Sequence, residues 1–221
     1  MDILVVLEDN RGSLHRMSKE AIAGAQKMGG SISALAIGVN ADAMAGELSD
    51  VDITEVITIN HDFVSSYNAD GYSDVVSQVI KSESPKTIVA GHSYQTRDFM
   101  PRVSAKLDIP FIPDIISMDD GIVKQVLNAK LNALVTTSAD QVILSFQSAT
   151  FSEEAMVTGS CLTRSIEVNL DSSIVRSEAE EPFQEDAGDV DLESAELIVS
   201  IGRGIEKEEN IQIAFDLAKA L

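Results

Sequence analysis

Apolar residues fall into two rhythms along this chain: short continuous runs, and longer stretches in which they recur at helical spacing. Residues 3–7 are continuously apolar, and residues 87–90 are apolar or β-branched throughout, as strands buried on both faces require. Residues 31–39 pattern as a further strand and 53–59 as another. Between these runs the period lengthens. Met17, Ala21, Ile22, Ala25 and Met28 mark a helix stopped by Gly29 and Gly30, residues 41–48 a short one, and Tyr72, Val75, Val76, Val79 and Ile80 a third with a clean apolar stripe. Phe99, Met100, Val103 and Leu107 mark a fourth, with Asp98 as the expected cap so that Pro101 falls in the first turn. Strands alternating with helices at this spacing predict a mainly parallel sheet with helices on both faces.

From Ile122 onward the pattern shortens again. Residues 122–127, 131–137 and 142–146 read as strands joined by short turns, expected to be antiparallel hairpins added to the parallel sheet. Residues 165–169 and 173–176 lean toward strand. Then the chain turns acidic: from 177 to 195 there is no Lys or Arg, and Pro182 and Gly188 interrupt it. Charge repulsion and low hydrophobicity predict a linker there, separating a domain over 1–176 from a second over 196–221. The second opens with an expected strand at 196–201, the turn Gly202-Arg203-Gly204, and a helix from about Glu208 striped by Ile211, Ala214, Phe215, Ala218 and Leu221.

The chain has 221 residues, enough for one domain and the start of another, and 44% of them are hydrophobic. No apolar run is long enough to span a bilayer, and Met1 leads straight into the first strand, so a cytoplasmic location without a leader is expected. The single Cys161 fits a reducing compartment and reads as a semi-buried structural thiol. With 36 acidic residues against 16 Lys and Arg, the net charge of −20 opposes nucleic acid and anionic membrane surfaces. That charge serves solubility, a salty cytosol, or steering toward a basic partner.

In a parallel sheet, ligands sit beyond the carboxyl ends of the strands, where three polar turns are expected at 8–14, 60–68 and 92–96. None carries a glycine-rich phosphate motif. His15, His61 and His92 come from separate segments without ligand spacing, so no metal is expected. His92, beside Ser93, Tyr94 and Arg97, reads either as a polar contact to a ligand or partner or as a solvated turn histidine. No nucleophile with a neighbouring base and no catalytic carboxylate pair is recognisable.

Two segments carry a resemblance. RDFMPRVSAKLDIPFIPDI, residues 97–115, is similar to the arginine-proline-arginine helix and Pro-x-x-x-Asp-Ile segment of the electron-transfer flavoprotein alpha subunit. ELIVSIGRGIEKEENIQIAFDLAKAL, residues 196–221, resembles the opening of its flavin domain. The chain departs from the family pattern in LNAKLNALV, residues 127–135, and in Gln147, which stands where an arginine is usual. What the resemblance implies is an α/β fold: a Rossmann-like, mainly parallel sheet with helices on both faces and added antiparallel strands, followed by an incomplete second α/β domain. It implies an electron carrier rather than an independent enzyme, the alpha subunit of a heterodimer with an electron-transfer flavoprotein beta subunit. Such a carrier takes electrons from acyl-CoA or other dehydrogenases onto FAD and passes them to a quinone reductase or other acceptor. By the same resemblance Arg203, flanked by Gly202 and Gly204, is the cofactor-binding position, where a guanidinium beside the flavin ring would stabilise its anionic reduced form; the competing reading is a surface arginine or a carboxylate partner. The family's flavin domain continues past the point matching Leu221, so this chain alone is expected not to retain FAD. A different reading is an adenine-nucleotide-binding α/β module of the stress-protein type, for which the glycine-rich turn is absent from residues 1–176.

Overall fold

The computed structural model describes residues 1–177, 180 and 197–221. The expected linker over 177–195 therefore lies outside the described residues except at Ser177 and Glu180. The chain divides into two compact units, Met1–Ala179 and Glu180–Leu221.

The first unit opens with β1 (Ile3–Val6), a small hairpin of β2 (Asp9–Asn10) and β3 (Ser13–Leu14), and α1 (Arg16–Met28). There follow β4 (Ile32–Ile37), α2 (Ala41–Glu47), β5 (Glu55–Ile59), α3 (Ala69–Glu83), β6 (Thr87–Gly91), α4 (Tyr94–Leu107) and β7 (Phe111–Ser117). The unit closes with β8 (Ile122–Val126), β9 (Leu131–Val135), β10 (Val142–Phe146) and β11 (Leu162–Ser165). Among the described residues these make a nine-stranded sheet ordered β11-β5-β4-β1-β6-β10-β7-β8-β9. It is parallel from β11 to β7, and β8 and β9 are added antiparallel.

Alternation along the strands splits the core into two layers. Ile3, Val5, Ala34, Val89 and Phe146 face α1 and α2, while Leu4, Val6, Leu35, Ile88 and Ile143 face α3 and α4. In β7 the alternation fails: Ile112 and Ile115 are buried in the same layer although an odd number of residues separates them in register. Pairing explains this, because Leu144↔Ile112 and Phe146↔Ile115 set two steps of β10 against three of β7. The extra residue is a β-bulge, and Asp114 within it takes φ +62°, a left-handed conformation that aspartate tolerates better than most residues.

Four expectations are corrected. Strand β10 is no hairpin arm: it inserts parallel between β6 and β7, because VILSF is buried enough for an interior position. Helix α4 begins at Tyr94 under a Ser93 cap, whose Oγ accepts from the Thr96 N–H at 3.0 Å, so Asp98 and Pro101 both lie inside it. Pro101 is exposed, which leaves the carbonyl it cannot serve on the wet side of the helix. Residues 173–176 form no strand, and Leu162–Ser165 pairs with β5 instead.

In the second unit residues 197–201 form no strand either, since an extended segment needs a neighbour to pair with and none is present among the described residues. A short 3-10 turn at Arg203–Ile205, another at Glu208–Asn210 and then α5 (Ile211–Ala220) make up its described part, and α5 buries no side chain.

Candidate functional site

The strand order reverses beside β1: the chain runs outward through β4 and β5, then crosses to β6 on the other side. The carboxyl ends of β1 and β6 thus open a crevice, the position where ligands enter doubly wound sheets. It has a volume of about 360 Å³ and is lined by Glu8, His15, Met17, His92, Arg97 and Gln147, among others.

Local chemistry holds each wall. The loop after β1 is tied down by the Glu8 N–H donating to Ser18 Oγ at 2.8 Å and the Leu14 N–H donating to Glu47 Oε1 at 2.7 Å. His15 is the cap of α1, its Nδ1 accepting from the Met17 N–H at 3.1 Å. On the far side, Glu20 is buried and receives the Ala149 N–H at 2.8 Å, which fixes the turn carrying Gln147 and Ser148. Arg97 lies over the exposed ring of Tyr94, 5.4 Å from its centroid.

His92 is the best-integrated polar group of the crevice. Its N–H donates to the Phe146 carbonyl at 2.7 Å, continuing the β6–β10 ladder, and its Nδ1 lies 2.8 Å from Ser145 Oγ. Its Nε2 lies 4.0 Å from Asp114 Oδ1. Burial pushes the imidazole below the usual histidine range; Asp114 pulls the other way, while Arg97 and Lys124 add to the depression. The ring is therefore neutral at neutral pH. His61 serves only as a turn cap, accepting from the Phe63 N–H, and among the described residues no cluster of His, Cys, Asp or Glu could hold a metal. Cys161 is free and half-buried, with its thiol pushed up by burial, so it is a poor nucleophile.

A larger cavity, about 540 Å³, lies between the turn after β5 and residues 172–177, lined by Ser65, Ser66, Tyr67 and Arg176 among others. Its one cation is already engaged, Arg176 Nη2 standing 2.9 Å from Asp70 Oδ1. Away from the switch point and with that charge satisfied, it offers less chemistry than the crevice.

In the second unit, Gly202, Arg203 and Gly204 sit together on the short turn before α5 and all are exposed. Gly202 has φ −121° and ψ −174°, a conformation open to any residue, and a Cβ built on Gly202 or Gly204 would meet nothing within 4 Å. Neither backbone strain nor packing among the described residues explains these glycines. The guanidinium between them is of the chemical kind that suits an anionic or electron-rich ligand. Of the crevice residues, Glu8 lies in one of the polar turns expected at the ligand-binding edge, while His15, weighed only as a metal ligand, and Gln147, noted only for replacing an arginine, were not expected to share a site with it.

Comparison with known proteins gives the family. The family described as "Electron transfer flavoprotein domain" matches residues 3–169. The electron transfer flavoprotein subunit alpha of Bacillus subtilis (strain 168) is 29% identical over 227 aligned residues, covering 99% of this chain and 69% of that protein. Protein FixB of Clostridium saccharobutylicum is 25% identical, with 99% and 69% covered. A probable mitochondrial electron transfer flavoprotein subunit alpha of Caenorhabditis elegans is 27% identical, with 99% and 66% covered. With the parallel sheet, the appended antiparallel pair and a match spanning most of the first unit, this chain belongs to the electron transfer flavoprotein family and is of its alpha-subunit type.

Proposed function

We propose that this chain is the alpha subunit of a heterodimeric, cytoplasmic electron carrier that contributes Gly202, Arg203 and Gly204 to an FAD site. In this reading electrons arrive from acyl-CoA or other dehydrogenases and leave to a quinone reductase or another acceptor, with the chain itself catalysing no separate reaction. The observation that carries the reading is the open turn: two glycines without an internal reason, flanking an exposed guanidinium. FAD, when bound, supplies the redox chemistry by accepting and releasing electrons. Arg203 would contribute a permanent positive charge to the flavin site, favouring negative charge there more strongly as water is excluded. Gly202 and Gly204 let the backbone come close. The first unit, with its large buried sheet, serves to dock the beta subunit, and the acidic segment over 177–195 joins a domain over 1–176 to one over 196–221.

In this reading the isolated chain does not retain FAD. Co-expression with a homologous α/β partner chain tests both statements. A stable complex is expected, with Arg203→Gln lowering the flavin's midpoint potential once the site is complete. A monodisperse monomer indifferent to the partner, or one flavin per chain on the isolated protein, would overturn the reading.

A further inference from the structure

We propose that His92, Ser145 and Asp114 form a proton-controlled latch joining the carboxyl ends of three neighbouring strands, β6, β10 and the bulged β7. The three residues come together because β10 lies between the other two strands and because the bulge re-aims β7. Asp114 occupies a left-handed conformation inside a strand, an arrangement with a backbone cost that places its carboxylate toward His92. Ser145 is 0% exposed, and its Oγ has two neighbours, the Asp114 N–H at 3.4 Å and His92 Nδ1 at 2.8 Å.

The hydrogen-bond partners allow one resting state in which every group of the latch is paired. Ser145 Oγ accepts from the Asp114 N–H, so its own proton is free to donate, and His92 Nδ1 is the acceptor within reach. In that state the neutral ring carries its proton on Nε2, facing the Asp114 carboxylate across 4.0 Å. Protonation reverses the first bond. Nδ1 gains a hydrogen that must point at Ser145 Oγ, and the serine hydrogen has to turn away into a closed site, where an unsatisfied donor is costly. At the same time the imidazolium attracts Asp114, and closing the 4.0 Å gap pulls on the bulge that carries it, where β8 pairs directly with β7 at Ile115.

The other charges around the ring oppose protonation or sit across open crevice. Arg97 on α4 and Lys124 on β8 are both cations, while Glu8 and His15 face the ring from the loop after β1. The switch is thus held in its neutral position and released by acid, with Asp114 as the imidazole's carboxylate contact among the described residues. Its consequence is a pH-dependent position for the β7–β8 end of the sheet and for the crevice beside it.

An NMR titration of the full chain from pH 7.5 to 4.5 tests the latch. The His92 ring signals should titrate below the usual histidine midpoint, and the amide signals of Asp114, Ile115 and Lys124 should follow the same curve, whereas His15 and His61 serve as internal controls. Asp114→Asn, which keeps a residue tolerant of the left-handed backbone, should lower the His92 midpoint by about 0.7 pH unit, since an opposite charge at that distance is worth roughly 1 kcal/mol in water. His92→Gln should abolish the titration of the Asp114 and Ile115 amides. The latch is refuted if those amides do not track His92, or if Asp114→Asn leaves its midpoint unchanged.

Discussion

The same substitution, glycine to alanine, should have opposite signs at two positions of the first unit. Gly91 ends β6 against the first turn of α1, where a Cβ would lie 2.6 Å from Met17 Cβ, 2.9 Å from the Met17 carbonyl oxygen and 3.1 Å from its carbon. Ordinary carbon contacts need about 3.5–4.0 Å, so the strand end and the first turn of α1 must part by about 1 Å. Trimming the Met17 side chain cannot relieve this, because two of the three obstructing atoms are backbone. Overpacking of this kind costs about 1–3 kcal/mol. Gly46 lies within α2 and has nothing within 4 Å of its would-be Cβ, so alanine there gains about 0.5–1 kcal/mol from reduced backbone entropy in the unfolded chain. Urea unfolding followed by tyrosine fluorescence reads the first unit selectively, since Tyr67, Tyr72 and Tyr94 are the chain's three tyrosines and there is no Trp. Gly91→Ala should shift the midpoint down and Gly46→Ala up, both with unchanged slope. In a chain of this size the corresponding thermal shifts are about 2–4 °C per kcal/mol. A Gly91→Ala protein as stable as the parent would refute the close approach of β6 to α1, and a destabilised Gly46→Ala would refute the open space on α2.

Three further outcomes follow from the packing and charges of the first unit. His92 has a folded-state midpoint below its unfolded one, so the unfolded chain binds the extra proton first; stability should fall as pH drops from about 6.5 toward the folded midpoint, and His92→Gln should lose less across that window. Arg164 holds edge strand β11 through paired bonds of 2.9 Å to both Glu55 oxygens and one of 3.2 Å to Glu83, and hydrogen bonding to Arg164 keeps the Glu55 carboxyl below its usual range. Arg164→Met should cost about 1 kcal/mol at neutral pH in low salt, a difference that disappears as pH falls through the depressed Glu55 midpoint, measured by denaturant unfolding at each pH. Phe146 is fully buried against Phe151 with ring centroids 4.7 Å apart, and Phe146→Ala should cost about 3–5 kcal/mol in the same assay.

Much of the first unit is legible without coordinates because its information is local. Runs such as Ile3–Val6 and Thr87–Gly91 are apolar on both faces, and the stripe of Tyr72, Val75, Val76, Val79 and Ile80 has one period; each dictates its element regardless of partner. Membership in the flavoprotein family was legible from two segments, 97–115 and 196–221, because they carry unusual residue orders rather than common periodicity. The crevice was half visible: that polar turns lie at strand ends follows from a parallel sheet, but which turns converge depends on strand order.

Strand order is a matter of non-local pairing, and there the sequence alone was insufficient. The apolar run at Val142–Phe146 is compatible with a hairpin arm or an interior parallel strand; only competition among all the edges placed it between β6 and β7. That placement in turn brought Ser145 beside His92, and the extra residue in β7 turned Asp114 toward them. Likewise Pro101 is compatible with a first turn at Asp98 or an exposed helix interior, and the Ser93 cap decided it. Periodicity belongs to a segment, so the amino acids specified it by themselves; a pairing partner, a bulge and a meeting of three side chains belong to the assembled sheet, and tertiary structure alone selected them.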